Sequence, residues 1–238
     1  MHHTKLEDHK NSVTTSKKGN KFKFTSPIPG VHIYDNVWPE SMDFINKIDS
    51  DNFWETEASP EDDVKWIRED YLDQDHGKKS KTCWIQHHPE ISNAFEEVVD
   101  SYLAHWNLEP HSIESMRITK FEGPGEFFGM HSDDSFATPR TTSMVYYPTD
   151  SYEGGELDFI HFGVKIKPKA NQLFLFPSAY NLEHKVHPVI SGTRITFVSF
   201  FNQMTFQERS ARQNLLNPNE YYQPKVPYVF EKKFLGYN

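Results

Sequence analysis

Residues 172–202 have the sequence QLFLFPSAYNLEHKVHPVISGTRITFVSFFN. Three short segments, at 172–177, 183–189 and 194–202, are separated by residues such as Ser, Asn and Gly that favour turns, and the first and third of them are largely apolar. Apolar segments of this length between turn residues are typical of buried strands. This part of the chain therefore predicts an all-β unit of sandwich or barrel type.

The same pattern begins at Met116 and predicts eight strands, linked by turn signals such as Gly123-Pro124-Gly125 and Ser191-Gly192. The strands are expected near 116–122, 126–132, 141–148, 155–161, 163–167, 172–177, 183–189 and 194–202. Eight antiparallel strands suit a jelly-roll double sheet. We therefore predict a mainly β fold with flanking helices, whose core is a double-stranded β-helix of cupin-like type.

The rest of the chain is expected to surround this core, since 238 residues leave little room for a second independent domain. The predicted parts are a flexible polar tail at 1–26 and a single domain at 27–238, made of a helical support region (27–115, with a candidate lid at 56–82), the β core (116–203) and a C-terminal extension (204–238).

Two segments of the support region have apolar residues at helical spacing, at 39–50 and 89–106. The second stripe consists of Ile91, Phe95, Val98, Val99, Tyr102 and Leu103. Core packing is the simplest role for such a stripe. We expect these helices to lie against the outer face of the β unit.

The net charge, the lengths of the apolar runs and the cysteine count argue against several classes of protein. The formal net charge of −9, without a basic stripe, argues against a nucleic-acid partner. No apolar run approaches the roughly 18 residues of a membrane helix. Cys83 is the only cysteine, which excludes an intramolecular disulfide and fits a reducing compartment. We expect a cytoplasmic protein with no membrane partner, in which Cys83 is buried; the sequence does not predict an oligomeric state.

His131-Ser132-Asp133 places an imidazole and a carboxylate two residues apart, so both point to the same face of an extended strand. A chain of this composition contains about one such His-x-Asp match by chance. The segment from His184 to Arg194 adds a third imidazole and then a guanidinium on a following strand. Two histidines and one carboxylate leave coordination positions open, as in iron(II) oxygenases.

Several short motifs occur in one order along residues 116–203, and together they are more specific than any one of them. They are Phe121-Glu122-Gly123, His131-Ser132-Asp133, Tyr147-Pro148-Thr149, Gly154-Gly155-Glu156-Leu157, Phe176-Pro177-Ser178 and the segment His184 to Arg194. In this series the chain resembles the prolyl 4-hydroxylase-like branch of the 2-oxoglutarate and Fe(II)-dependent dioxygenases.

The resemblance implies that the chain is an enzyme using Fe(II), 2-oxoglutarate and O2, with ascorbate as a supporting reductant. It implies that His131, Asp133 and His184 hold the metal and are the catalytic residues. It also implies that Arg194 and Tyr147 bind the far carboxylate of 2-oxoglutarate beside Leu157. The implied substrate is a prolyl residue of a peptide or protein, and a free amino acid or other small metabolite is the alternative.

Two classes outside this reading stay open: a cupin-like metal enzyme that does not use 2-oxoglutarate, and a binding module without catalysis. Phe121 departs from the family pattern, because relatives often carry there a tyrosine that contacts 2-oxoglutarate. His187 and His161 are not assigned to the metal. Arg140 and Lys120 are expected to be solvated surface charges.

Overall fold

A computed structural model describes residues 12–49, 66–71, 77–85, 88–108, 110–134 and 140–203. The first eleven residues, much of the candidate lid and the whole candidate C-terminal extension at 204–238 lie outside these ranges. Within the described ranges, two α-helices pack on a large antiparallel sheet.

The helices are α1 (Ser41–Ile48) and α2 (Pro89–His105). The strands in chain order are β1 (Ser12–Thr15), β2 (Lys21–Phe24), β3 (His32–Tyr34), β4 (Ile67–Tyr71), β5 (Lys78–Ile85), β6 (Pro110–Ile113), β7 (Met116–Glu122), β8 (Phe128–His131), β9 (Arg140–Tyr147), β10 (Tyr152–Gly154), β11 (Leu157–Phe159), β12 (Val164–Ile166), β13 (Gln172–Pro177), β14 (His184–Val186) and β15 (Val189–Gln203). Short 3₁₀ turns at Ile160–Phe162 and Tyr180–Leu182 precede β12 and β14.

The main sheet has the strand order β12-β11-β14-β8-β5-β7-β15-β9-β13-β3, and every pairing is antiparallel. One Cα pair, Lys78 with Phe128, joins the two halves of this order. The sheet curls so that residues of both halves line one cavity. The double-stranded β-helix and its eight predicted strands are confirmed, with bounds that shift by a few residues.

Strand β13 explains why the predicted core strands are apolar without a polar face. Leu173 and Leu175 point into a cluster between the sheet and the helices. Phe174 and Phe176 point into a second cluster inside the curled sheet. Because successive side chains alternate between two buried faces, all four positions are apolar.

Both predicted helices are confirmed, and each buries the expected stripe. All six apolar residues of the α2 stripe are at most 3% exposed. The helix begins with Pro89, and the side chain of His88 accepts a hydrogen bond from the backbone N–H of Glu90, which caps the first turn. Trp38 packs on Phe44, Phe95 and Phe197, and so connects both helices to the sheet.

The assignment of residues 1–26 to a flexible tail is wrong for residues 12–26. Strands β1 and β2 form a hairpin that packs against α2. The Thr14 hydroxyl lies 2.8 Å from the Ser101 hydroxyl, and Asp100 accepts a hydrogen bond from the backbone N–H of Lys17 at 2.6 Å. These contacts are polar and join residues far apart in sequence, so the apolar pattern gave no signal for them.

Within the candidate lid at 56–82 the structure describes strand β4 and the first part of strand β5, and the role of the segment as a lid stays a prediction. Strand β5 lies inside the main sheet between β8 and β7, and β4 pairs with it. Lys78, Ser80 and Thr82 are all at most 2% exposed. Residues 78–82 are polar on both faces of the strand, so the sequence lacks the apolar pattern of a buried strand there. Residues 56–65 and 72–76 lie outside the described ranges.

Two further features concern the burial of Cys83 and the length of the helices. Cys83 is fully buried, as predicted. Neither described helix is long and apolar enough to cross a membrane.

His32 on β3 gives a stability prediction. The ring is 2% exposed and stacks on Phe24 with ring centroids 3.6 Å apart. Burial, assisted by the charge of His105, lowers the pKa of His32 to about 3. The unfolded chain, in which a histidine pKa is about 6.5, therefore binds the proton more strongly. Stability is fully present above pH 6.5 and falls as the pH drops from there towards 3.

We expect His32→Phe, which keeps the ring stack, to remove part of this acid sensitivity. Between pH 7 and pH 5, the unfolding free energy of the native protein should fall by about 1–2 kcal/mol more than that of the variant. Urea unfolding of both proteins at the two pH values measures this difference. Equal losses in the two proteins would show that His32 is not the group responsible.

Candidate metal centre and cosubstrate site

The three predicted metal ligands lie together at one end of the cavity. His131 at the end of β8 and His184 at the start of β14 are directly opposed in the antiparallel pairing. Asp133 Oδ1 lies 3.6 Å from His131 Nε2, and Asp133 Oδ2 lies 3.7 Å from His184 Nε2. The ligand atoms of all three are within 4.8 Å of one another. An ion between them could approach each atom to about 2 Å with small movements.

Backbone carbonyls orient both imidazoles. His131 Nδ1 lies 2.8 Å from the carbonyl oxygen of Gly129, and His184 Nδ1 lies 2.9 Å from that of Leu182. A carbonyl only accepts, so the hydrogen-bond network assigns the proton of each neutral ring to Nδ1. The Nε2 lone pairs then face Asp133. This tautomer leaves Nε2 of each ring able to bind a metal, while the other ring nitrogen donates to a carbonyl.

The protonation states at the site also suit a cation. Burial lowers the pKa of His184 to about 4, although the charge of Asp133 opposes this shift. Burial alone would raise the pKa of Asp133, but its interactions with His184, His131 and the Ser143 hydroxyl outweigh this effect and hold that pKa well below its usual range. Near neutral pH the site therefore combines an ionised carboxylate with a neutral His184 imidazole, as metal binding requires.

The backbone around Asp133 is fixed by Arg140. The Arg140 guanidinium makes two hydrogen bonds of 2.6 Å to the Glu114 carboxylate and donates a third, of 3.1 Å, to the backbone oxygen of Asp133. The interpretation of Arg140 as a solvated surface charge is therefore wrong. The same interpretation is wrong for Lys120, on the opposite face of β7, because its side chain is only 11% exposed and its ammonium pairs with Asp49 and lies over the Trp66 ring.

Arg194 lies deeper in the cavity and is only 2% exposed. Its Nε donates to the carbonyl oxygen of Gly155 at 3.0 Å, and its Nη2 donates to the Tyr147 hydroxyl at 3.3 Å. Among the described residues, no carboxylate lies within ion-pair distance of this guanidinium. A buried cation without an anion is costly, so the site is suited to a ligand that brings a carboxylate.

Tyr147 and Phe121 complete the surroundings of this guanidinium. Burial raises the pKa of Tyr147, so its hydroxyl keeps its proton and can donate it while accepting from Arg194. The Phe121 ring centroid lies 5.0 Å from Arg194 Cζ, and it offers no hydroxyl there. Leu157, 2% exposed, forms part of the cavity wall.

The Gly154-Gly155 motif is required by the approach of Arg194. Gly155 has a φ of +64°, and a Cβ atom there would lie 2.8 Å from Arg194 Cδ. Any larger residue would strain the backbone and push the arginine away from its position. The motif is therefore structural support for the arginine.

The cavity that holds these groups is lined by residues from both halves of the sheet. Beyond the predicted residues, its wall includes Lys78, Arg117, Thr119 and Thr196. Sequence reasoning missed all four. Alternation along β7 could have placed Arg117 and Thr119 on the face of Phe121, whereas Lys78 fell in a segment predicted to be a lid.

The histidines left unassigned lie outside the site. His187 Nε2 is 2.8 Å from the Asp158 carboxylate, and His161 Nε2 is 3.1 Å from that of Glu183. Both rings are partly or largely exposed. Among the described residues, the group of His131, Asp133 and His184 is the one cluster whose atoms could share an ion.

A model of one known protein family matches the part of the chain that holds this site. The family model of the 2OG-Fe(II) oxygenase superfamily matches residues 116–202, which hold all three candidate metal ligands and Arg194. Residues 116–202 therefore resemble a 2OG-Fe(II) oxygenase domain. A PKHD-type hydroxylase of Prochlorococcus marinus is 31% identical over 97 residues, which cover 38% of this chain and 42% of the relative. The match thus spans less than half the length of that relative.

Solved prolyl hydroxylases have a similar fold. One from Trichoplax adhaerens, in complex with a hypoxia inducible factor peptide, has a TM-score of 0.57 at 19% identity and covers 76% of this chain and 86% of its own. A Pseudomonas putida prolyl-4-hydroxylase has a TM-score of 0.55 at 18% identity, covering 74% and 94%. A viral collagen prolyl hydroxylase from Paramecium Bursaria Chlorella virus-1, complexed with 2OG, has a TM-score of 0.54 at 18% identity, covering 74% and 97%.

The residues of this site fit iron(II) and 2-oxoglutarate, the two groups in the description of the matching family. Two imidazole nitrogens and one carboxylate suit iron(II) and leave positions for other ligands. The buried Arg194 and the protonated Tyr147 suit a carboxylate some distance from the metal.

Proposed function

We propose that this chain is a 2-oxoglutarate- and Fe(II)-dependent hydroxylase acting on a C–H bond. The observation that carries the proposal is one cavity with a histidine–aspartate–histidine cluster at one end and a buried arginine, with no described carboxylate partner, at the other. The first end is suited to the metal and to a keto acid. The second is suited to the far carboxylate of the same molecule.

Each residue has a defined task in this proposal. His131, Asp133 and His184 hold iron(II), and the Gly129 and Leu182 carbonyls keep both imidazoles in the required tautomer. Arg194 and Tyr147 bind the far carboxylate, and Leu157 packs against the carbon chain. When bound, iron(II) with 2-oxoglutarate and O2 supplies the oxidation, which yields succinate, carbon dioxide and a hydroxylated substrate. Ascorbate serves as a supporting reductant of the iron.

The proposed substrate is a prolyl residue in a peptide or protein, and its support is the likeness to prolyl hydroxylases. A free amino acid or another small metabolite is the alternative. Substrate-binding loops vary most within one fold, so the fold itself does not decide between them. A cytoplasmic location is part of the proposal, supported by the single, buried cysteine.

The test is anaerobic titration of the native protein with iron(II) and then with 2-oxoglutarate. We expect a weak visible charge-transfer band that depends on both additions, and succinate formation once O2 is admitted. Iron binding without the band or succinate would favour a cupin-like enzyme that does not use 2-oxoglutarate. Failure to bind iron at all would indicate a non-catalytic binding module.

A further inference from the structure

A second tyrosine, Tyr152 on β10, lies beside the side chain of Arg194. Its Cα partner on β15 is Gly192, which precedes Arg194 by two positions. A Cβ atom on Gly155 would lie 2.8 Å from Arg194 Cδ and 3.1 Å from Tyr152 Cε2. The ring of Tyr152 and the stem of Arg194 therefore pack on the same side of Gly155. This places Tyr152 next to the position proposed for the far carboxylate of 2-oxoglutarate.

The hydroxyl of Tyr152 is buried without a hydrogen bond. The residue is only 6% exposed, and among the described residues its hydroxyl oxygen has no hydrogen-bond partner of suitable geometry. Burial raises the pKa of Tyr152, so the hydroxyl keeps its proton, and the charge that most opposes this rise is that of Arg194. A buried hydroxyl that makes no hydrogen bond costs free energy. It is therefore available to a ligand that brings a polar atom to the guanidinium.

Neighbouring groups hold the Tyr152 ring in place. The ammonium of Lys167 lies 3.5 Å from the ring centroid, and it donates hydrogen bonds of 2.9 and 2.5 Å to the backbone oxygens of Tyr152 and Gly154. Close packing fixes the other end of the side chain, since a Cβ atom on Gly192 would lie 3.2 Å from Tyr152 Cβ. These contacts restrict rotation of the ring. The hydroxyl is therefore kept beside Arg194.

The guanidinium of Arg194 has donors left for such a ligand. Its Nε donates to the Gly155 carbonyl and its Nη2 to the Tyr147 hydroxyl, which leaves other N–H groups for a carboxylate. The Phe121 ring, which also lies beside the guanidinium, carries no hydroxyl. The hydroxyls near Arg194 are therefore those of Tyr147 and Tyr152. A tyrosine hydroxyl can accept a hydrogen bond from an arginine and donate one to a carboxylate at the same time.

We propose that Tyr152 is a third polar residue of the cosubstrate site, together with Arg194 and Tyr147. With 2-oxoglutarate bound, the Tyr152 hydroxyl donates a hydrogen bond to the far carboxylate, and this bond satisfies a group that is otherwise buried without one. Hydrogen bonds to a charged acceptor are stronger than those between neutral groups. Tyr152 thus favours keto acids that carry a second carboxylate. This inference rests on the proposed function and adds a residue that determines cosubstrate specificity.

The test compares Tyr152→Phe with the native protein. This variant removes the hydroxyl and keeps the ring under the Lys167 ammonium, so we expect it to fold. Anaerobic titration of both iron(II)-loaded proteins, followed by the charge-transfer band and by calorimetry, gives the Kd of 2-oxoglutarate and that of 2-oxobutyrate, which lacks the far carboxylate. In the variant the Kd of 2-oxoglutarate should rise by about tenfold or more, whereas that of 2-oxobutyrate should change little.

Tyr146→Phe is the matched control. Tyr146 is fully buried and precedes Tyr147 on β9, but it belongs to the core cluster between the sheet and the helices. Its hydroxyl donates to the Trp38 carbonyl at 2.6 Å and lies 2.9 Å from the Ser41 hydroxyl. Removing this hydroxyl should leave the affinities for both keto acids unchanged. Thermal melting of the two variants checks that each is folded.

Three results would overturn the inference. The first is an unchanged Kd of 2-oxoglutarate in Tyr152→Phe, which would show that the hydroxyl does not contribute to the site. The second is an equal loss of affinity for both keto acids, which would indicate a general disturbance of the cavity. The third is a similar loss of 2-oxoglutarate affinity in Tyr146→Phe. If the native, iron-loaded protein does not bind 2-oxoglutarate at all, the proposed function itself fails.

Discussion

His184→Ala is expected to lose high-affinity iron(II) binding and with it all 2-oxoglutarate turnover. The ring is 4% exposed, its Nδ1 is tied to the Leu182 carbonyl, and its Nε2 faces Asp133. Loss of an outer-shell partner of a metal ligand typically costs about 10- to 100-fold in metal affinity, so loss of the ligand itself should cost more than about 100-fold. Iron(II) or Mn(II) titration of the folded variant measures this loss.

His187→Ala is the matched control, because it removes an imidazole from the same segment. His187 is bonded to Asp158 and lies outside the cluster of ligand atoms. We expect the control to keep both iron affinity and the charge-transfer band. The assignment of the third ligand would be refuted if His187→Ala lost the metal and His184→Ala retained it. Thermal melting of both variants checks that each is folded.

Arg194→Ala is expected to separate metal binding from cosubstrate binding. The guanidinium is buried and has no carboxylate partner among the described residues, so its proposed partner is the far carboxylate of 2-oxoglutarate. Removing one member of a buried, hydrogen-bonded charge pair costs about 2–5 kcal/mol, or roughly 30- to 4000-fold in affinity. Iron affinity should change little, whereas the charge-transfer titration should show the Kd of 2-oxoglutarate rising by such a factor.

A cosubstrate analogue supplies the control for this effect. 2-Oxobutyrate has the keto acid group but lacks the far carboxylate, so its weaker binding should be nearly the same in the native protein and in Arg194→Ala. An equal loss for both keto acids would point to a general disturbance of the cavity. Unchanged affinity for 2-oxoglutarate would contradict the role of Arg194.

The pattern of apolar segments predicted the eight core strands because their local sequences carry the signal. Strand β13 is apolar on both faces, since it lies between two cores, and α2 has its stripe at helical spacing. Strand β5 carries no such signal. Its buried residues Lys78, Ser80 and Thr82 alternate in sequence with Lys79 and Lys81. The strand is defined by its pairing with β7 and β8.

The same distinction applies to the hairpin of β1 and β2. Its contacts with α2 include hydroxyl and carboxylate groups separated by more than 80 positions in the chain. No local sequence pattern predicts contacts between residues so far apart in the chain. The same reason applies to Arg140. Its partners, the Glu114 carboxylate and the Asp133 backbone, come close to it only in the folded sheet.

The sequence by itself determined the candidate metal ligands, their order along the chain and the strands that carry them. A His-x-Asp match is expected about once by chance in such a chain, so it does not identify a metal site alone. The ordered motifs up to Arg194 make the assignment specific. Only the tertiary structure decided the tautomers of His131 and His184 and the isolation of Arg194 from described carboxylates. It also placed Arg117 on the cavity wall. The physical reason is that burial and pairing depend on strands that meet only when the sheet curls.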